Sequence, residues 1–340
     1  MRRDYINVAI LWFVLTFIAE LLLPGLPLPI AAAQEAGYSD EAFRLLMVLG
    51  TPVFTFTVSV LAYSLLKFRT RGDTLEPGAP IRGNVWVSGT WLLVTGGLCF
   101  LVILHPGLTG LEKFFGNRNP QLVVKVTGRQ FAWDVEYPAQ KIAHATEVVL
   151  PVGQRVKFEI TAADVMHSVW IPAFRHKMDA VPGLVTAMYV TPTEKGSYTE
   201  DANFRIQCAE LCGAGHALMM VPVRVVPPME FDTWVRTQAT AEVTLTPVQR
   251  GENLAKSLGC TACHSLDGST LVGPTWKSLY GSQVTLTDGT TVTADDAYLR
   301  ESITHPNAKI VKGFPPNVMP TLQLTDQELS DLAEYLESIK

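Results

Sequence analysis

Gln207-Cys208-Ala209-Glu210-Leu211-Cys212-Gly213-Ala214-Gly215-His216-Ala217-Leu218-Met219 puts two thiols, an imidazole and a thioether within reach of one loop. Soft sulfur ligands beside imidazole suit copper. A mononuclear blue-copper site needs one cysteine thiolate, so a second cysteine four residues on points to two thiolates bridging two copper ions. That set lacks one ligand. The best candidate is His167, in Ala163-Asp164-Val165-Met166-His167-Ser168-Val169-Trp170, which can meet the loop only across a folded β-domain. Two other chemistries use the same side chains: a Cys208–Cys212 disulfide on the oxidising side of a membrane, or tetrahedral zinc on both cysteines, His167 and His216. Neither gives Met219 or the glycine-loosened loop a role.

The loop resembles the copper A (CuA) loop of cytochrome c oxidase subunit II. Gly128-Arg129-Gln130-Phe131-Ala132-Trp133-Asp134-Val135-Glu136-Tyr137 is similar to that family's aromatic segment, and Asp164 through Gly183 to its first-histidine segment. The resemblance implies His167, Cys208, Cys212, His216, Met219 and the backbone carbonyl of Glu210 as copper ligands. It also implies that the Glu210 carboxylate faces subunit I, where the family uses it on a magnesium ion. The chain departs from its relatives at three places. Phe131 stands where many have the Trp that receives an electron from an external cytochrome, Asn84-Val85-Trp86-Val87-Ser88 lacks the carboxylate often found for proton uptake, and Leu184 replaces a common Arg.

A length of 340 residues leaves room for two or three domains, and a mean hydropathy of +0.20 with 17% charged residues takes part of the chain out of water. A net charge of −5 argues against a nucleic-acid partner, which needs clustered Lys and Arg. Of five cysteines four fall in two motif pairs; Cys99 lies in an apolar run and reads as an inert buried thiol.

Residues 1–33 carry Met1-Arg2-Arg3, an apolar stretch from Tyr5 to Leu23, and small residues at Ala31-Ala32-Ala33. The pattern fits a secretory signal peptide or an additional retained membrane helix. Residues 34–110 then contain two uncharged stretches, 45–66 and 85–104, each long enough to cross a bilayer. Lys67, Arg69, Arg71 and Arg82 between them put that loop in the cytoplasm and the rest of the chain outside.

From residue 120 to 228 short β-branched runs alternate with turn signals such as Pro182-Gly183, the texture of an antiparallel β-sandwich. The resemblance narrows this to a cupredoxin-like Greek key. Residues 229–245 read as a short amphipathic turn and a linker. Residues 246–340 form a further, all-α domain that opens on the helix-start signal Thr246-Pro247-Val248-Gln249 and ends on Leu329, Leu332, Ala333, Leu336 and Ile339, which share one helical face.

That last domain contains Cys260-Thr261-Ala262-Cys263-His264, the haem c attachment signature. Two thiols at this spacing reach both vinyl groups of one porphyrin, and the next imidazole turns onto the iron. A thioredoxin-like redox pair has the same spacing, but no strand and helix pattern of that fold surrounds it. The sixth ligand should be a sulfur; Met319, between Pro315-Pro316 and Pro320, is the candidate and His305 its competitor. Gly273-Pro274-Thr275-Trp276 and 310–320 resemble class I cytochrome c.

Taken together these readings describe subunit II of a haem-copper terminal oxidase in a bacterial-type plasma membrane, with copper and haem domains on the extracytoplasmic side. An external donor, a cytochrome c or another small redox protein, would reduce the covalent haem c. The electron would pass through binuclear copper to the haem of subunit I, where oxygen reduction is coupled to proton translocation. The haem domain's net charge of −4, seven Lys/Arg against eleven Asp/Glu, would suit a basic donor. Other membrane subunits are expected beside subunit I. Two different roles remain open on the sequence, the CuA subunit of a nitric oxide reductase and a non-catalytic copper-binding or delivery module.

Overall fold

The computed structural model describes residues 2–69, 83–322 and 324–340. Two compact units emerge, one of residues 1–29 and 37–117, the other of residues 30–36 and 118–340. Arg71 and Arg82 of the cytoplasmic-loop reading lie outside the described residues.

The first unit is helical: α1 (Arg2–Leu22), α2 (Gln34–Lys67), α3 (Val85–Val102) and α4 (Thr109–Phe115). Among the described residues three helical stretches are long and apolar enough to cross a membrane. The uncharged stretch 45–66 is the inner part of α2, whose polar first turns precede it. Helix α3 continues past the expected end at 104 through a π turn at Ile103–Leu108 into α4, with the break in helical geometry at His105, before Pro106. Helix α1 meets α2 through matched polar groups. Trp12 Nε1 donates to the Pro52 carbonyl at 2.8 Å, the Thr16 and Thr55 hydroxyls lie 2.7 Å apart, and Tyr63 Oη donates to Asp4 at 2.8 Å.

The second unit begins with a two-sheet sandwich. Its strands are β1 (Leu122–Arg129), β2 (Ala132–Glu136), β3 (Val148–Pro151), β4 (Val156–Ala162), β5 (His167–Ile171), β6 (His176–Ala180), β7 (Thr186–Val190), β8 (Gly196–Ser197), β9 (Arg205–Cys208) and β10 (Met220–Val226). One sheet has the order β2-β1-β4-β7, the other β3-β10-β9-β5-β6 with β8 on β10. Strand β4 alternates buried and half-buried side chains, putting Val156, Phe158 and Ile160 into the core. The expectation of purely antiparallel pairing is corrected at two places: β1 with β4 and β3 with β10 run parallel. Each pair is joined by connections that cross between the sheets, so the returning strand keeps its partner's direction.

Residues 30–36 pack into this sandwich. The Ala32 N–H bonds the Ala173 carbonyl at 2.8 Å, the Thr193 N–H bonds the Ala32 carbonyl at 2.8 Å, and Ala33 bridges Pro192. Glu35 is fully buried, paired with Arg155 and accepting from the Thr191 N–H at 2.9 Å.

Where a turn and linker were read, the structure has a helix, α5 (Pro228–Thr244). Pro228 opens it, and Phe231 and Trp234, one turn apart, bury against Tyr137. The last domain is helical but not all-α as expected: α6 (Pro247–Ser257), α7 (Cys260–Cys263), α8 (Asp296–Thr304) and α9 (Asp326–Ser338) are joined by a small antiparallel hairpin of β11 (Gln283–Thr285) and β12 (Thr291–Thr293). Thr246 with Gln249 and Thr325 with Glu328 form capping boxes at the starts of α6 and α9. Leu332, Ala333 and Leu336 are buried, with Leu329 and Ile339 packed at the margin. Helices α6 and α9 cross at Gly251, where a Cβ would run into the backbone of Asp331.

Candidate metal centre and haem pocket

Strand pairing brings the first ligand segment to the loop. Val169 of β5 lies opposite Cys208 of β9, which sets His167 at the sandwich end where the loop between β9 and β10 begins. The His167 ring is fully buried, wedged between Gly128 and an edge-on Trp133 at 5.8 Å. Its Nε2 meets Asp164 Oδ1 at 2.8 Å, which leaves Nδ1 facing Cys208 Sγ at 3.9 Å. A carboxylate holding the outer nitrogen of a metal-ligating histidine is a recurrent device for fixing its tautomer.

The remaining side chains converge on the same point. The two Sγ atoms are 3.8 Å apart; His216 Nδ1 and Met219 Sδ lie 3.6 and 3.9 Å from Cys212 Sγ, and the Glu210 carbonyl 3.1 Å from Cys208 Sγ. His167, Cys208 and Cys212 have ligand atoms within 4.8 Å of one another. A disulfide would bring the sulfurs to about 2.05 Å. Six donors with two central sulfurs exceed what a single tetrahedral zinc takes and fit a pair of soft metal ions.

Burial alone would push the Cys208 thiol up, but hydrogen bonds from His167 and from the backbone of Ser168 and Glu210 hold it down to about 6. Burial and the neighbouring Cys208 charge push Cys212 up to about 12. Bound metal ions would supply the positive charge that lets both thiols ionise.

Phe131 lies on the loop: a Cβ on Gly213 would sit 3.1 Å from its ring, and one on Gly215 would overlap it. Beside it, Gln130 Nε2 donates to the Cys212 carbonyl at 2.5 Å, and the Gln130 N–H donates to Asp164 Oδ2 at 2.7 Å. Sequence reading assigned no role to Gln130, nor to Asp164 as the group orienting His167. The i, i+3 spacing of Asp164 and His167 was the available signal for the latter.

In the haem domain Cys260, Cys263, His264 and Met319 line one apolar cavity. His264 Nδ1 bonds the Pro274 carbonyl at 2.7 Å and its ring stacks on Trp276 at 4.9 Å, leaving Nε2 as its other ring nitrogen. Gly273 allows this approach, since a Cβ there would sit 2.7 Å from the imidazole. Burial pushes the Cys260 thiol up to about 12, opposite to a nucleophilic redox cysteine. The competing His305 is exposed, bonded to Thr304, and does not line this cavity. A two-thiol helical turn, an oriented imidazole and a thioether around one apolar cavity fit a covalent haem.

Two family profiles match the chain: cytochrome c oxidase subunit II, periplasmic domain, over residues 139–226, and cytochrome c over residues 248–340. Cytochrome c oxidase subunit 2 of Alkalihalophilus pseudofirmus is 29% identical over 315 residues, covering 89% of this chain and 87% of that protein. Heme-copper oxidase subunit 2 of Aeropyrum pernix is 31% identical over 205 residues, covering 56% of this chain and 85% of that one. Among solved structures, the periplasmic domain of subunit II of cytochrome oxidase of Bradyrhizobium japonicum aligns at 33% identity over 36% of this chain and 96% of its own length, with a TM-score of 0.32.

Membrane-length helices, a cupredoxin-like sandwich and a cytochrome c domain in one chain define a membrane-anchored redox protein. More particularly, the chain belongs to the subunit II family of the haem-copper oxidases, in the form that carries a C-terminal cytochrome c domain.

Proposed function

We propose that this chain is the electron-entry subunit of a terminal oxidase. His167, Cys208, Cys212, His216, Met219 and the Glu210 carbonyl would hold two copper ions. Cys260 and Cys263 would tether a haem c, and His264 and Met319 are the residues that would hold its iron. Bound there, these two groups would supply one-electron chemistry, which suits a relay from an external cytochrome c or another small redox protein toward the haem of subunit I, the partner in which oxygen reduction would be coupled to proton translocation. The observation that carries this reading is the pair of thiols 3.8 Å apart, ringed by two imidazoles, a thioether and a carbonyl.

The protein's part is to keep the ligands in place. Asp164 fixes His167, the Pro274 carbonyl fixes His264, and the rigid strands beneath the copper loop limit rearrangement when the charge changes. Tethering the haem domain replaces a diffusional encounter with an intramolecular one. Exposed Val165, Met166, Leu184, Val185, Leu211 and Leu218 on the loops at the copper end supply an apolar face for subunit I. The Glu210 carboxylate, which is exposed, would share a magnesium ion with subunit I. Lys67 at the end of α2 and Arg69 just beyond it, with Arg2 and Arg3 at the start of α1, support a topology with both redox domains outside a bacterial-type plasma membrane.

Rapid mixing of the purified oxidase with a reduced small redox protein tests this directly. Haem c should be reduced first and copper next, with oxygen consumed; turnover on nitric oxide but not oxygen would refute the oxidase assignment.

A further inference from the structure

Among the described residues lining the haem cavity, Gln130 is the one that does not come from the haem domain. It stands at the turn between β1 and β2, where Gly259, just before the first haem cysteine, packs on Ala132. The same residue is bound twice to the copper loop's ligand set. Its side-chain amide donates to the carbonyl of Cys212 at 2.5 Å, and its backbone N–H donates to the carboxylate that holds His167. No other contact of the sandwich with the haem cavity has this double attachment among the described residues.

We propose that Gln130 is the positioning residue for electron transfer between the two cofactor sites, a bridge from the haem-cavity wall to the Cys212 backbone. This rests on the function proposed above. Electronic coupling falls off more steeply across an open gap than along bonded atoms and a hydrogen bond. From the Gln130 amide the route enters the Cys212 carbonyl and follows that residue's own bonds to Sγ. One electron leaves a ferrous haem and one is gained by the oxidised copper pair; no bond forms or breaks and no proton moves. Phe131, the neighbour in the place where many relatives have Trp, lies over Gly213 and Gly215 and supports the loop from outside. The bridge therefore runs through the residue before the aromatic one.

Gln130→Leu removes the donor at similar size, and Gln130→Glu keeps the shape while its carboxylate cannot donate to the Cys212 carbonyl. In the full oxidase, photoreduction of haem c should show electron arrival at copper slowed at least ten-fold in both variants. The copper paramagnetic spectrum and both reduction potentials should stay those of the parent. A rate equal to the parent's in both variants would overturn the bridge, as would a Glu variant that matches the parent while the Leu variant slows, which marks a packing role. An altered copper spectrum in both variants would also overturn it, making Gln130 a structural support of the metal loop. If the parent itself lacked either cofactor signal or any copper reduction after haem reduction, the proposed function would fail instead.

Discussion

His144 of the copper domain joins Glu328 of the haem domain, with 3.0 Å between Nε2 and Oε1, and its other nitrogen lies 2.8 Å from Asp134 Oδ1. Glu328 also caps α9, so the contact ties the sandwich to the start of the haem domain's last helix. Burial works against a charge on His144, but the two carboxylates outweigh it and raise its pKa; Glu328 is held below the usual carboxylate range despite burial, by Thr325 and His144. The other charged groups nearby are Arg129, 3.6 Å from Asp134, and the Arg250–Asp331 pair.

Asp134 stays beside His144 whether or not the haem domain is docked, so the part of the rise that Glu328 causes is the part linked to docking: it stabilises docking fully below the undocked value and less as pH rises through the docked one. Docking of the haem domain should therefore loosen with rising pH. Interdomain cross-linking from pH 6 upward would record it, and His144→Ala should abolish the trend at a cost of about 1–3 kcal/mol. An unchanged trend in the variant would contradict this role.

Asp164→Asn keeps the size of the group that holds His167 but weakens its hold on the ring nitrogen. Copper affinity should drop about 10–100-fold, by the usual worth of such outer partners. Competition with a copper chelator measures it, and an unchanged affinity would show that His167 is positioned by Trp133 and Gly128 alone.

Gly251→Ala should destabilise the haem domain specifically. The added methyl meets the Asp331 backbone at the crossing of α6 and α9, where neither helix can yield cheaply. Overpacking of this kind costs about 1–3 kcal/mol or more. Thermal melting followed at the haem band should shift down while the copper band holds its own transition.

Residues 30–36 are built into the sandwich, and α1 carries polar groups matched to α2. A peptide discarded after Ala33 would need neither. The expectation is that the mature chain keeps residues 1–33, and intact-mass measurement of the purified protein decides it; a start at Gln34 would contradict it. Glu35→Ala, by removing the carboxylate that faces the Arg155 charge in the interior, should lower the sandwich's stability by about 3–5 kcal/mol.

The two candidate cofactor sites stand out in the sequence because most of their side chains sit in short runs, 208–219 and 260–264, while His167 lies in a separate segment that strand pairing brings to the loop. Met319 needed only the knowledge that one more sulfur was wanted near a proline-stiffened loop. What stayed hidden depends on pairs far apart in sequence: His144 with Glu328 across 184 positions and Arg155 with Glu35 across 120. Neither pair has a local pattern, and a buried ion pair reads as two surface charges until the fold closes over it. Helix α5 escaped because Phe231 and Trp234, which hold its first half against Tyr137, find their partner about a hundred positions away in the sequence. The start of α2 escaped for a related reason: membrane-length hydropathy registers the apolar span and not the polar turns before it.

The central claim is that one chain holds a two-copper thiolate centre beside a covalent haem. Electron paramagnetic resonance of the purified oxidized protein, with copper and haem quantified in the same sample and subunit I's own copper subtracted, tests it most directly. The account predicts one unpaired electron shared equally by two copper nuclei, and two copper ions per haem c. A single-copper hyperfine pattern, or zinc in place of copper in fully loaded protein, would contradict it.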